Sequence, residues 1–240
     1  WSDNTAANLI LQEIGGVGYE VVLVSSGAIA VGRNKLNMTA KPDSMRMKQA
    51  AAAVGQCSLM YLYDKFFGDY DKTVAQILLN ADDIEEEEKK ENLINTFNAL
   101  LEMGVIPIVN ENDSVSYKEI ESEDRLFGDN DMLSAVVAVL CRAKHLVIFS
   151  DIDGFYDHDP RLYPNAQLID QIDTIDDSVY ALAGGAGSRR GTGGMRTKLQ
   201  AASLATSQGT NTIVTNGKRP EVLYDIVKGG RAGTLFPGKI

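Results

Sequence analysis

The strongest constraint on this chain is an alternation repeated five times, in which a short apolar, β-rich run is preceded by a helical pattern. The runs are Val21-Val22-Leu23-Val24, Val74-Ala75-Gln76-Ile77-Leu78-Leu79, Val105-Ile106-Pro107-Ile108-Val109, Leu146-Val147-Ile148-Phe149 and Thr212-Ile213-Val214. Apolar strands separated by helices predict an α/β fold, with a mainly parallel sheet covered on both faces. Ligands of such sheets bind beyond the carboxyl ends of the strands. Ser25-Ser26-Gly27, Asn110 to Asp113 and Ser150-Asp151 all follow strands directly, so the topology gathers them on one edge.

The helical patterns cover residues 45–67, with Met47, Ala50, Val54 and Leu62 among their apolar positions and Gly55 as an interruption, and residues 84–103, with Leu93, Phe97, Leu100 and Leu101. Two more surround Leu133, Val136, Val137 and Leu140, and Leu199 to Ala205, while Leu9, Ile10 and Ile14 suggest one near the start. Residues 155–180, with Tyr156, Pro160, Tyr163 and Pro164, break the rhythm and read as a small hairpin or excursion. No linker or repeat divides the 240 residues, so one domain is expected.

A hydrophobic content of 44% fills a substantial core. No run approaches the ~20 apolar residues of a membrane span and no signal-peptide pattern opens the chain, so cytoplasm is the expectation. Cys57 and Cys141 lack metal-ligand spacing and are expected as buried thiols in a reducing compartment. A net charge of −10 argues against general nucleic-acid binding. It leaves room for an anionic substrate, because Arg189, Arg190, Arg196 and Lys198 make a local cationic cluster that a distant net charge does not cancel. Glu85 to Glu88 read as a solvated first helical turn.

Four groups of residues are candidates for the chemistry, and the glycine-rich stretch near Lys198 is the strongest signal among them. Asn110-Glu111-Asn112-Asp113 ends a strand, and Gly128-Asp129-Asn130-Asp131 opens a helix, which makes the second group either a plain cap or part of a ligand rim. Gly27 sits in a tight strand-to-helix turn, there either to bring backbone close to a ligand or to let helices pack. The glycine-rich stretch from Gly184 through Thr192, Gly193 and Gly194, running into Met195-Arg196-Thr197-Lys198, offers open N–H groups, a helix start and a point charge. Those parts suit a polyphosphate, with a surface loop as the alternative. It matches neither a Walker A loop nor a dinucleotide fingerprint, which counts against an oxidoreductase.

Assembled in order, Val-Ser-Ser-Gly-Ala-Ile-Ala, Val-Gly-Gln, Pro-Ile-Val-Asn-Glu-Asn-Asp, Phe-Gly-Asp-Asn-Asp, Ser-Asp-Ile-Asp-Gly, Gly-Thr-Gly-Gly-Met-Arg-Thr-Lys and Gly-Thr-Leu-Phe closely resemble the glutamate 5-kinases of the amino-acid kinase family, over about Val21 to Phe236. The resemblance implies an αβα three-layer sandwich, with the amino acid held in the N-terminal half and ATP in the C-terminal half. It implies ATP-dependent phosphorylation of the γ-carboxylate of L-glutamate, with Mg2+ carried by the ATP phosphates and no protein metal ligand. Ser26, Gly27, Asp113 and Asn130 would bind glutamate. Ser150, Asp151 and residues Thr192, Gly193, Gly194, Met195, Arg196, Thr197 and Lys198 would bind ATP. Lys198 and Asp131 would be catalytic, the lysine stabilising the migrating phosphoryl group and the aspartate orienting it. Feedback inhibition by proline acting between Asn110 and Asp131, and a dimer or tetramer, follow from the same resemblance.

Family members open with a Lys-x-Gly-[ST]-[ST] strand that does not occur before Val21, and many carry a C-terminal RNA-modification-type (PUA) domain that does not occur before Ile240. The expectation is therefore a kinase domain alone, lacking its first strand. The competing readings are a kinase for aspartate or N-acetylglutamate, and a non-catalytic sensor of an amino acid or nucleotide.

Overall fold

Each of the five apolar runs overlaps a strand. The computed structural model describes residues 18–115, 130–183 and 194–239. In it β1 (Leu23–Val24), β2 (Val74–Leu79) and β3 (Ile106–Glu111) form a parallel sheet in the order β1-β3-β2, with Leu23 beside Ile108 and Val74 beside Ile106. A second sheet has the order β4-β5-β6, from β4 (His145–Ser150), β5 (Asn211–Asn216) and β6 (Thr234–Phe236). There β4 and β5 are parallel and β6 returns antiparallel. The described residues fall into two compact units that divide between Asn130 and Asp131, one sheet in each.

The unit ending at Asn130 contains α1 (Ala28–Lys35), α2 (Met45–Gly68), α3 (Asp82–Glu85) and α4 (Glu87–Glu102). Helices α1 and α2 meet backbone to backbone. A Cβ on Gly32 would lie 1.7 Å from the Ala51 carbonyl oxygen, and one on Gly55 only 1.8 Å from that of Ala28. This contact sets the buried face of α2, which is Ala51, Ala52, Gly55, Leu59 and Phe67. Met47 and Ala50, expected among the apolar positions, are exposed, because they lie off the face that carries Ala51, Ala52 and Gly55. The expected helix over 84–103 is two, since Glu86 is extended (φ −84, ψ 114) and Glu87 and Glu88 occupy the first turn of α4. Carboxylates are favoured at that electropositive end.

The other unit contains α5 (Asn130–Leu140) from Asp131 onward, α6 (Asp177–Ala183), α7 (Met195–Ser207) and α8 (Val222–Val227). Leu133, Val136, Val137 and Leu140 are buried at the predicted spacing. Ala135, Leu146, Phe155, Leu199, Val214 and Phe236 belong to one apolar cluster. The excursion contains the expected hairpin contact, an antiparallel bridge between Tyr156 and Leu168, and then bridges from Gln171 to Leu235 of β6. Cys57 is exposed and Cys141 only partly buried. The expected burial of both thiols is therefore corrected: Cys57 lies off the buried face of α2 and Cys141 follows the last turn of α5.

Among the described residues no helix is long and apolar enough to cross a membrane. The expected helix around Leu9 to Ile14, Gly128 and Asp129, Arg189 and Arg190, Thr192 and Gly193, and most of the stretch assigned to an effector lie outside the described residues.

Candidate active site

In the first unit the end of β1 turns into α1 through Ser25, Ser26 and Gly27. Gly27 has φ +88, and a Cβ there would meet nothing within 4 Å, so its glycine serves the backbone conformation and not helix packing. Ser26 and Gly27 are exposed, and α1 starts with no side-chain cap. First-turn N–H groups lacking intrahelical partners can bind a carboxylate. Ser25 is buried; its N–H donates to the Val109 carbonyl at 2.7 Å, and its Oγ is 2.9 Å from the Tyr63 hydroxyl. Its carbonyl accepts the Asn130 Nδ2 amide.

Asn110, at the carboxyl end of β3, is only 2% exposed, so its amide must find partners inside the protein. Its Nδ2 donates to Gln56 Oε1 at 2.9 Å and its Oδ1 accepts the Glu111 N–H at 2.9 Å. Asn130 Nδ2 lies 3.5 Å from the same Oδ1. Three chain segments, after β1, at the end of β3 and at the start of α5, thus converge through neutral hydrogen bonds. Asp113 is half-buried two residues beyond β3.

In the second unit Lys198, in the first turn and a half of α7, places Nζ 2.8 Å from Asp131 Oδ2. Both side chains are close to nine-tenths buried. Thr197 Oγ1 stands 3.0 Å from the same carboxylate oxygen and 2.8 Å from the Gly194 carbonyl. A strongly hydrated ammonium left this deep is held by pairing and hydrogen bonding. Ser150 and Asp151 leave β4, where the Ser150 carbonyl accepts the Gly217 N–H at 2.9 Å and Asp151 pairs with Arg161 at 2.8 Å. Asp153 accepts from Asn216 Nδ2 at 2.9 Å and from the Tyr156 hydroxyl at 3.2 Å.

Of the residues expected for the nucleotide, Gly194, Thr197 and Lys198 come together with Asp131. Met195 packs on the apolar cluster, and Arg196 lies over the Tyr180 ring at 5.8 Å. Ser150 and Asp151 form a separate group with Gly217 and Arg161. Asn130 gathers with Ser25 and Asn110, and the expected Ser26 and Gly27 follow Ser25 in the chain as exposed residues. Gln56 and Tyr63 were not expected. Their partners are 54 and 38 residues away in sequence.

The model of the amino acid kinase family matches residues 2–216. The chain is 54% identical over 230 residues to the glutamate 5-kinase of Clostridium perfringens, spanning 96% of this chain and 85% of that one. It is 48% identical to the Listeria innocua glutamate 5-kinase, spanning 96% and 83%, and 46% identical to that of Enterococcus faecalis, spanning 94% and 83%. Among solved structures, Giardia lamblia carbamate kinase bound to AMP-PNP superposes with TM-score 0.62 at 17% identity, covering 98% and 89% of the two chains. T. acidophilum isopentenyl phosphate kinase in a product complex gives 0.61 at 18%, covering 97% and 90%. At these identities the structural likeness concerns the fold.

Proposed function

Because the chain belongs to the amino acid kinase family, we propose that it transfers the γ-phosphoryl group of ATP to the γ-carboxylate of L-glutamate, giving L-glutamyl 5-phosphate, the first step of proline biosynthesis. The observation that carries the reading is the buried Lys198–Asp131 pair at the start of α7. Phosphoryl transfer requires mainly in-line positioning and charge stabilisation. The acceptor carboxylate, with an ordinary pKa of about 4.3, is already ionised at neutral pH, so no general base is needed. Asp131 therefore acts by aiming Lys198, whose ammonium stabilises charge on the migrating group. Nucleotide binding falls to the unit from Asp131 onward, through Ser150, Asp151 and residues 192–198. A nucleotide-borne Mg2+ supplies further charge neutralisation at the phosphates, and as an ion that keeps several waters it calls for no cage of protein ligands.

Glutamate binding falls to the unit ending at Asn130. N–H groups around Gly27 and the Ser26 hydroxyl take the α-carboxylate, while Asp113 and Asn130 take the ammonium, the one group of glutamate that suits acidic and amide oxygens. Proline shares those two groups and acts as a competitor for them. The enzyme works in the cytoplasm as a homo-oligomer.

Coupled ADP release measured with glutamate, aspartate and N-acetylglutamate tests the acceptor, and activity on either alternative with silence on glutamate rejects this assignment. Asp113→Asn is expected to raise the KM for glutamate at least about ten-fold, as loss of a charged hydrogen bond would, with the KM for ATP little changed. Equal losses for both substrates would remove Asp113 from the ammonium site.

A further inference from the structure

Tyr63 has no part in the roles assigned so far. Its ring contacts two apolar groups at once, one with Ala28, Ala52 and Leu59, the other with Phe67, Ile106 and Ile108. Phenylalanine would satisfy that packing equally. A phenolic oxygen in such surroundings costs free energy unless it is hydrogen-bonded, and the partner it has is Ser25 Oγ, 2.9 Å away. Burial pushes the Tyr63 pKa up from its ordinary value, so the phenol stays neutral through the physiological range.

Ser25 is thereby held at three points: main-chain N–H on β3, carbonyl under the Asn130 amide, and hydroxyl against Tyr63. A peptide group is planar, so fixing the Ser25 carbonyl also fixes the direction of the Ser26 N–H. The same carbonyl is the seat of the Asn130 side chain.

We propose that Tyr63 is a positioning residue for the phosphoryl acceptor: by gripping Ser25 it sets the turn that presents Ser26 and Gly27 and the amide of Asn130. The inference rests on the acceptor-binding reading of those three residues. It makes the 25–27 turn accurate through an atom on α2 that touches no substrate.

Tyr63→Phe removes one oxygen and keeps the ring. It is expected to raise the KM for glutamate about five-fold, the net worth of one hydrogen bond, with the KM for ATP unchanged within about two-fold. Ser25→Ala is expected to do the same, and the double variant to do no more than either single one. Calorimetric glutamate titration and thermal unfolding accompany the kinetics. Because the ring is kept, a role in packing alone would move both KM values or neither, whatever the change in unfolding temperature, and either result overturns the proposal, as do additive effects in the double variant. Ser26→Ala separates the two levels. If it weakens glutamate binding while Tyr63→Phe does not, the positioning role fails alone; if neither variant has an effect, the acceptor reading of the turn fails first and takes this role with it.

Discussion

The unit ending at Asn130 and the unit beginning at Asp131 build their polar centres from different materials. In the first, the contacts linking Ser25, Gln56, Tyr63, Asn110 and Asn130 join neutral hydroxyls, amides and carbonyls. In the second, an ion pair between Lys198 and Asp131 is buried at the start of a helix. A neutral network is directional and little affected by salt, so it suits the shape of one small molecule. A buried ammonium exerts its field in a poorly screened place, so it suits charge that moves during a reaction. Recognition and rate enhancement are therefore expected to come apart on mutation.

The largest expected effect is that of Lys198→Ala, which should lower kcat by about 10²–10³-fold, the usual cost of losing one electrostatic stabiliser, and leave glutamate affinity close to wild type. Single-turnover kinetics beside glutamate titration read the two quantities separately, and a parallel loss of both would break the contrast. Next is Gly55→Ala. The added Cβ would fall 1.8 Å from the Ala28 carbonyl oxygen, so α1 must shift, at an overpacking cost of about 1–3 kcal/mol. Because Gly27 opens α1, glutamate binding should weaken and nucleotide binding should hold, as measured by titration with each ligand alone.

The smallest effect concerns the second unit only. Asp176 Oδ1 accepts from the Ser178 hydroxyl and N–H and from the Val179 N–H, at the start of α6. These bonds, the Ser178 hydroxyl foremost, hold its pKa below the ordinary carboxylate value. A depressed folded pKa means that the stabilisation is complete above the unfolded value and disappears as pH falls through the folded one. Asp176→Ala should thus lower the unfolding temperature slightly at pH 7, with the gap to wild type closing below about pH 4. A gap that persisted in acid would show that the side chain acts by packing.

Much of this was legible in the sequence, for definable reasons. β2 to β5 are apolar runs bounded by polar residues, and the pattern Leu133, Val136, Val137, Leu140 has one helical face to bury. β6 was missed because Thr-Leu-Phe is too short to carry a period. The split at Glu86 was missed because four consecutive glutamates look alike, although one is extended and two begin a helix. The apolar pattern of residues 45–67 does not mark the buried face of α2, because at Gly32 and Gly55 it is the absence of a side chain that permits contact. Lys198, Asp131 and Asn130 stood out as charged or amide groups at element ends. Gln56 stands in the Val-Gly-Gln motif without a role of its own and Tyr63 in none, since what marks them is a partner dozens of residues away.

The last strand has a consequence for how the chain is made. Thr234 Oγ1 accepts the Phe155 N–H at 2.7 Å and reaches the Ile169 carbonyl at 2.7 Å, while Leu235 exchanges hydrogen bonds with Asp170 and Ile172, each at 2.9 Å. Residues 155–172 leave the ribosome long before those partners exist, so the outer border of that sheet stays unzipped until translation has passed residue 236. Once zipped, both sides of β6 are occupied, and a passing polypeptide finds no ladder there on which to add itself.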